Sequence, residues 1–275
     1  MGVALALRAL DAALAEPRAG RLITHGPIIH NPLVIQEYAE KGVIISEDPT
    51  LAGPGDTVVI RAHGITEAVE TRLNASGGTV RDATCPKVKK AQLAIAGQSS
   101  LGKILLLFGE ADHPEVQGLL GYAGGRAHVF GSIQELEELP LDPGKDWFLA
   151  AQTTQDRGAF EEAARLVRRR LGRDIPVLST ICNATRTRQE EVEALAAQVD
   201  IMVVVGGRNS GNTRRLVEVA AARGNPVVHV EQASDLDPRQ FAGFTVVGLT
   251  AGASTPERHI TDVESRLRAF NTSPA

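Results

Sequence analysis

Two cysteines in 275 residues, Cys85 and Cys182, constrain this chain more than any other feature. Each follows a short apolar run and precedes a long stretch with helical spacing, so each is expected in a turn that opens a helix. The first stands in Asp82-Ala83-Thr84-Cys85-Pro86, the second after residues 177–181, Val-Leu-Ser-Thr-Ile. At such a position the positive end of the helix dipole suits an anionic sulfur, the form in which cysteine binds a metal. Taken singly, a buried cysteine is a small core hydrophobe. The paired setting argues for more. His113 lies 28 residues after Cys85 and Ser210 lies 28 residues after Cys182, both in polar turns, which reads as an internal repeat. Counting back by about the same interval from the polar turn at His30 lands just ahead of Met1.

With 43% hydrophobic and 23% charged residues the chain reads as globular and able to bury a core. A net charge of -4 offers no basic excess, which argues against nucleic acid as the main partner. Two widely spaced cysteines suit a reducing compartment better than a disulfide framework. Arg8 and Asp11 interrupt the first apolar stretch too early for a signal peptide or a membrane span, so the expectation is a cytoplasmic protein with no membrane partner. The Asn183-Ala184-Thr185 sequon is then accidental.

Strand readings at 21–24, 43–46, 57–62, 79–81, 104–108, 127–130, 147–151, 177–181, 201–205, 227–230 and 244–249 alternate with helical ones. The helices include 3–15, 66–74, 156–171, 185–199 and 256–270, a short one at 133–139, and one opened by Asn31 as cap and Pro32. This order predicts an α/β fold of three pseudo-repeated units with small parallel sheets, 1–84, 85–181 and 182–275, arranged as a trefoil around a central cavity. Ligands of such sheets collect beyond the carboxyl ends of the strands. The turns there carry His30 and His63, His113 and Thr153, and Ser210 and Ser254. Arg165, Arg168, Arg169, Arg170 and Arg173 cluster on one helix and beyond its end, either as a solvated face or as a dock for an acidic electron donor.

Gly206-Gly207-Arg208-Asn209-Ser210-Gly211-Asn212-Thr213 has the glycines and helix start of a phosphate cradle but no Walker lysine. Thr250-Ala251-Gly252-Ala253-Ser254 repeats that chemistry, which favours an anionic ligand. His30, His63 and His113 fall in turns where imidazole can donate to a phosphate oxygen, and Glu115 stands beside His113 to carry protons. His128, His229 and His259 fall inside predicted elements and call for no functional account, while His25 is left open. Zinc on two thiolates and two histidines would have none of the common finger spacings. An α/β phosphotransferase would need Mg-binding carboxylates near Ser210, and none is present.

These residues resemble the 4-hydroxy-3-methylbut-2-enyl diphosphate reductases of the non-mevalonate isoprenoid pathway. The shared motifs span the chain: Ile29-His30-Asn31, Ala62-His63-Gly64, Asp82-Ala83-Thr84-Cys85-Pro86, His113-Pro114-Glu115-Val116, Gln152-Thr153-Thr154, Ile181-Cys182, Asn209-Ser210 with Asn212, and Thr250 to Ser254. The resemblance implies a trefoil holding a 4Fe-4S iron-sulfur cluster, with Cys85 and Cys182 as ligands and an open iron that takes the substrate hydroxyl. It further implies that His30, His63, His113, Thr153, Ser210, Asn212 and Ser254 bind the allylic diphosphate substrate, and that Glu115, His113 and Thr153 relay protons. The implied donor is a ferredoxin or flavodoxin, and the products are isopentenyl and dimethylallyl diphosphate.

Two departures stand out. Gly211 occupies the place of another diphosphate-binding serine. The family's first cysteine lies in a Gly-Phe-Cys-x-Gly-Val run of which Met1-Gly2-Val3 matches only the end, so the expectation is a native start further upstream that supplies the third thiolate. The competing expectation is a clusterless diphosphate-binding protein or sensor.

Overall fold

A computed structural model describes residues 2–270 of the chain. Met1, on which the expectation of an upstream start falls, lies outside them. The described residues form two compact units, one made of residues 2–29 and 35–182, the other of residues 30–34 and 183–270.

The first unit opens with α1 (Gly2–Ala15), followed by β1 (Leu22–His25), α2 (Pro32–Glu40) from Ile35 onward, β2 (Ile44–Ser46), β3 (Thr57–Ile60), α3 (Glu67–Asn74) and β4 (Thr79–Asp82). These strands make a parallel sheet in the order β2-β1-β3-β4. Then come α4 (Pro86–Ser100), β5 (Ile104–Phe108), α5 (Pro114–Leu120), β6 (Ala127–Phe130), α6 (Ile133–Glu138), β7 (Trp147–Ala151) and α7 (Arg157–Leu171). The second sheet is again parallel, ordered β6-β5-β7.

Both faces of that sheet are covered, which is why its strands read as unbroken apolar runs. Leu106, Phe108, Trp147, Leu149 and Ala151 pack with Phe160, Ala163 and Val167 of α7 on one face. Leu105, Leu107, Phe148 and Ala150 pack with Ile95 of α4 and Val116 and Leu119 of α5 on the other. The alternation along each strand is the two-residue period of the pleat.

In the second unit α8 (Asn183–Ala196), β8 (Ile201–Val205), α9 (Gly211–Ala222), β9 (Val227–Val230), β10 (Val247–Ala251) and α10 (Glu257–Phe270) give a third parallel sheet, ordered β10-β8-β9. Met202 and Val204 face α8 and α9, while Val203 and Val205 face Val263 of α10. The fold is thus α/β with three small parallel sheets, as the strand and helix order predicts. Among the described residues no helix is long and apolar enough to cross a membrane.

Helix starts follow their capping residues. Thr66 caps α3, Ser132 caps α6, Asp156 caps α7 and Ser210 caps α9, each accepting a backbone N-H three residues on. Asn31 Oδ1 accepts from the amides of Leu33 and Val34, so the Asn31-Pro32 start of α2 is as predicted.

Two strand predictions fail. Residues 177–181 form no strand; only Val177 bridges Leu149 of β7. The last strand starts at Val247 rather than 244, because the Asp200 carboxylate accepts the amides of Thr245 and Val246 and draws them out of the ladder. The arginine cluster is largely structural. Arg170 donates to the carbonyls of Leu136 and Leu139 at 2.6 and 2.7 Å, and Arg168 and Arg173 pair with Asp174 and Asp146.

Leu105 is fully buried on the central strand of the second sheet. Leu105→Ala is expected to lower unfolding stability by about 3 kcal/mol in urea titrations, with an unchanged denaturant slope.

Candidate functional site

In each sheet the strands run in one direction, so the polar turns after them gather at one edge. In the first unit that edge carries His63, Cys85, His113, Glu115, Thr153 and Cys182. His63 follows β3 and His113 lies between β5 and α5; their rings meet edge to face with centroids 5.7 Å apart. His113 Nδ1 accepts the Glu115 amide at 3.1 Å and so caps α5. That bond requires Nδ1 without a proton, which leaves Nε2 to carry it in the neutral ring.

Glu115 is the one carboxylate among the buried residues of this edge, 3% exposed. Its two oxygens accept from the amide and the hydroxyl of Thr153 at 2.6 and 3.0 Å. Burial pushes its pKa from 4.5 up to about 7, and the two Thr153 bonds oppose that rise without cancelling it. The result is a carboxyl poised to hold or release a proton near neutrality.

The cysteines hook onto neighbouring turns in the same way. Cys85 N donates to the Ala62 carbonyl and Cys182 N to the Thr153 carbonyl, both at 2.9 Å. Each thiol is free and half-buried, and each stands immediately before a helix of 14 or more residues. Cys85 is the N-cap of α4, yet its side chain makes no capping bond. Gly2, at the start of α1, lies against the same sulfur, since a Cβ there would sit 2.5 Å from Cys85 Sγ. Among the described residues no group of three or more His, Cys, Asp or Glu is assembled as a metal site. Two soft sulfur donors, that of Cys85 making no capping bond, nevertheless suit an iron-sulfur group in kind.

In the second unit the Gly206 to Thr213 turn joins β8 to α9. Gly206 has φ +148°, and a Cβ at Gly207 would lie 2.5 Å from the His30 carbonyl oxygen, so this turn and the His30 backbone need glycine to approach. Asn31 Nδ2 donates to the Ser254 carbonyl at 3.2 Å, which brings the turn after β10 to the same place. Ser210, Asn212 and Ser254 are buried there. Asn212 Nδ2 and Ser254 Oγ have no hydrogen-bond partner among the described residues. Buried donors left open in this way are what an anionic ligand would satisfy.

The structure therefore groups His63 with His113, Glu115 with Thr153 and Cys182, and His30 with Ser254 and the 206–213 turn. His25 is buried at the end of β1, where burial first and the Arg61 guanidinium second hold its pKa below the ordinary value. Sequence reasoning missed His229. Its Nε2 meets the Gly206 carbonyl at 2.8 Å, while the Arg208 amide donates to Glu231 and the Arg208 guanidinium to the His229 carbonyl. These bonds tether the glycine turn to the end of β9. Its position inside a predicted strand hid that role, because ring direction is not written in the period-two pattern.

The fold and these turns define an α/β chain with half-buried thiols and open buried donors at its strand ends. The chain belongs to the LytB protein family, which matches residues 1–268. The 4-hydroxy-3-methylbut-2-enyl diphosphate reductase of Solidesulfovibrio magneticus is 54% identical over 274 residues, covering 98% of this chain and 96% of the relative. That of Desulfovibrio desulfuricans is 56% identical over 275 residues, with the same coverage. The solved reductase of Plasmodium falciparum superposes with a TM-score of 0.90 at 25% identity, over 99% of this chain and 85% of that one. A second solved structure, (E)-4-hydroxy-3-methyl-but-2-enyl diphosphate reductase, described as the terminal enzyme of the non-mevalonate pathway, gives 0.70 at 38% identity, over 98% and 95%.

The raised pKa of Glu115 has a consequence for stability. Below pH 4.5 both folded and unfolded chains hold the proton; from 4.5 to about 7 the unfolded chain ionises while the folded one keeps its proton, so stability falls as pH rises and levels off once the folded group ionises. Glu115→Gln removes that loss. Its stability relative to wild type is expected to improve by up to about 3 kcal/mol between pH 4.5 and 8 in denaturant titrations.

Proposed function

We propose that this chain reduces 4-hydroxy-3-methylbut-2-enyl diphosphate to isopentenyl and dimethylallyl diphosphate. The carbon-oxygen bond of the allylic alcohol breaks, two electrons and two protons enter, and water leaves. The observation that carries the reading is the Glu115, Thr153 and Cys182 chain, in which a carboxyl with a pKa of about 7 is two hydrogen bonds from a thiol-bearing backbone. Reductive loss of a hydroxyl needs electrons and protons delivered at one place, and that pairing suits it. Relatives above 50% identity that bear the reductase name support the same reading. A clusterless binding protein finds no support among them.

In this reading Cys85 and Cys182 hold a 4Fe-4S cluster, which when bound supplies electrons singly to the substrate. The Gly2 backbone, lying against Cys85 Sγ, leaves room at that sulfur which any side chain would fill. Ser210, Asn212 and Ser254, with His30, hold the diphosphate in the second unit. Glu115 gives its proton through the Thr153 hydroxyl and is reprotonated from solvent to give the second, while His113 Nε2–H donates a hydrogen bond. Residues 1–84, 85–181 and 182–275 then act as three like units, each supplying one sheet and two of these turns. A low-potential ferredoxin or flavodoxin is the electron donor, and we place the reaction in the cytoplasm.

The test is anaerobic reconstitution of the chain, alone and extended ahead of Met1 by Gly-Phe-Cys, with iron content, visible spectrum and turnover on dithionite-reduced viologen. The expected result is iron bound by the extended chain and turnover that falls as pH rises through about 7, because Glu115 must be protonated to act as the acid. Glu115→Gln should keep iron and lose at least 100-fold in kcat. An extended chain that takes up no iron, or a Gln variant with wild-type turnover, overturns the assignment.

A further inference from the structure

We propose that Thr180 is a positioning residue whose hydroxyl interrupts the strand-like pairing between residues 176–182 and β7, freeing the Thr153 amide for Glu115 while keeping Cys182 in register. This rests on the reading of Cys182 as a ligand and Glu115 as the acid.

The pairing starts as a regular parallel ladder. Leu149 N donates to the Pro176 carbonyl and Leu178 N to the Leu149 carbonyl, at 2.9 and 2.8 Å around the Leu149 to Val177 bridge. Continued by the parallel pattern, Ala151 N would reach the Leu178 carbonyl, Thr180 N the Ala151 carbonyl, and Thr153 N the Thr180 carbonyl. None of these three forms. Thr180 N turns back onto the Leu178 carbonyl at 2.9 Å, a three-residue turn that uses up both groups.

The Thr180 hydroxyl takes over both missing rungs on Ala151. It accepts from Ala151 N at 2.8 Å and donates to the Ala151 carbonyl at 2.7 Å, in a buried position. The third amide, Thr153 N, instead meets Glu115 Oε1 at 2.6 Å. The regular pattern then resumes with Cys182 N on the Thr153 carbonyl. One hydroxyl thus lets the segment lose a carbonyl at the rung where Glu115 enters without losing its place beside β7.

The equivalent segment before Cys85 also gives up one rung, but without a hydroxyl. Ala83 N donates to the Ile60 carbonyl and Cys85 N to the Ala62 carbonyl, while Ala62 N leaves the β4 side for the Ile28 carbonyl at 3.1 Å. What is particular to the Cys182 edge is the hydroxyl that stands in for both rungs on Ala151, and a buried carboxylate as the acceptor of the released amide.

Thr180→Val removes the hydroxyl at nearly constant volume, and Thr180→Ser retains it. In the full chain, amide hydrogen exchange at Ala151 and Thr153 should accelerate at least tenfold in the Val variant while β5 amides keep their wild-type rates. Iron retained after anaerobic reconstitution of the Gly-Phe-Cys-extended chain should fall at least twofold, and Ser should stay within twofold of wild type on both readouts. Wild-type exchange at Thr153 in the Val variant, or a Ser variant as impaired as Val, overturns the proposal. Should Val be recovered unfolded, Thr180→Ala is judged by the same criteria. If the extended wild-type chain itself takes no iron, the cluster reading fails and the exchange comparison alone decides the role of Thr180.

Discussion

Parallel strand direction is the constraint on which everything else depends. Because every paired strand within each sheet runs the same way, the chain must cross back over the sheet between strands, mostly through a helix, and every strand delivers its following turn to one edge. His63 after β3, Cys85 after β4, His113 after β5, Thr153 after β7, Ser210 after β8 and Ser254 after β10 all arrive by this route. Strands buried on both faces anchor these turns, since apolar packing against helices on either side leaves little freedom at the strand ends. The polar groups of the turns then have two partners to choose from, the backbone of the next turn or a ligand.

Glu115 shows how the two choices are combined. A carboxyl taken out of water prefers its neutral form, and without donors its pKa would climb further than it does. The Thr153 amide and hydroxyl both stabilise the ionised form, and the balance leaves the group near 7. A regular ladder at residues 151–153 would have given the amide to a backbone carbonyl. The same carboxyl would then be held by one donor fewer and would release its proton less readily.

Much of this was legible in the sequence, and what escaped has physical reasons. Residues 104–108, 147–151 and 201–205 read as strands because burial on both faces demands unbroken apolar runs. Asn31 read as a cap because a short polar side chain before a helical period has few other uses. Residues 177–181 misled because Val, Leu, Thr and Ile carry strand propensity regardless of whether their amides find a ladder, and a serine-threonine pair hides a turn. The Asp200 carboxylate, 45 residues before Thr245, displaced the start of β10 by a contact no local pattern records. His229 and Thr180 escaped for the same reason: each acts through a bond to backbone distant in sequence, and neither sits in a turn that composition marks.

The two cysteine settings, alike in sequence, differ in the way that best explains a division of labour. At Cys85 the Ala62 amide leaves the β4 ladder for a backbone carbonyl, that of Ile28, and the sulfur is met by the bare backbone of Gly2. At Cys182 the ladder is broken two residues earlier and repaired by a hydroxyl, and the amide so released belongs to the residue that binds the buried acid. The asymmetry makes sense if one copy positions sulfur alone, while the other must position sulfur and a proton together.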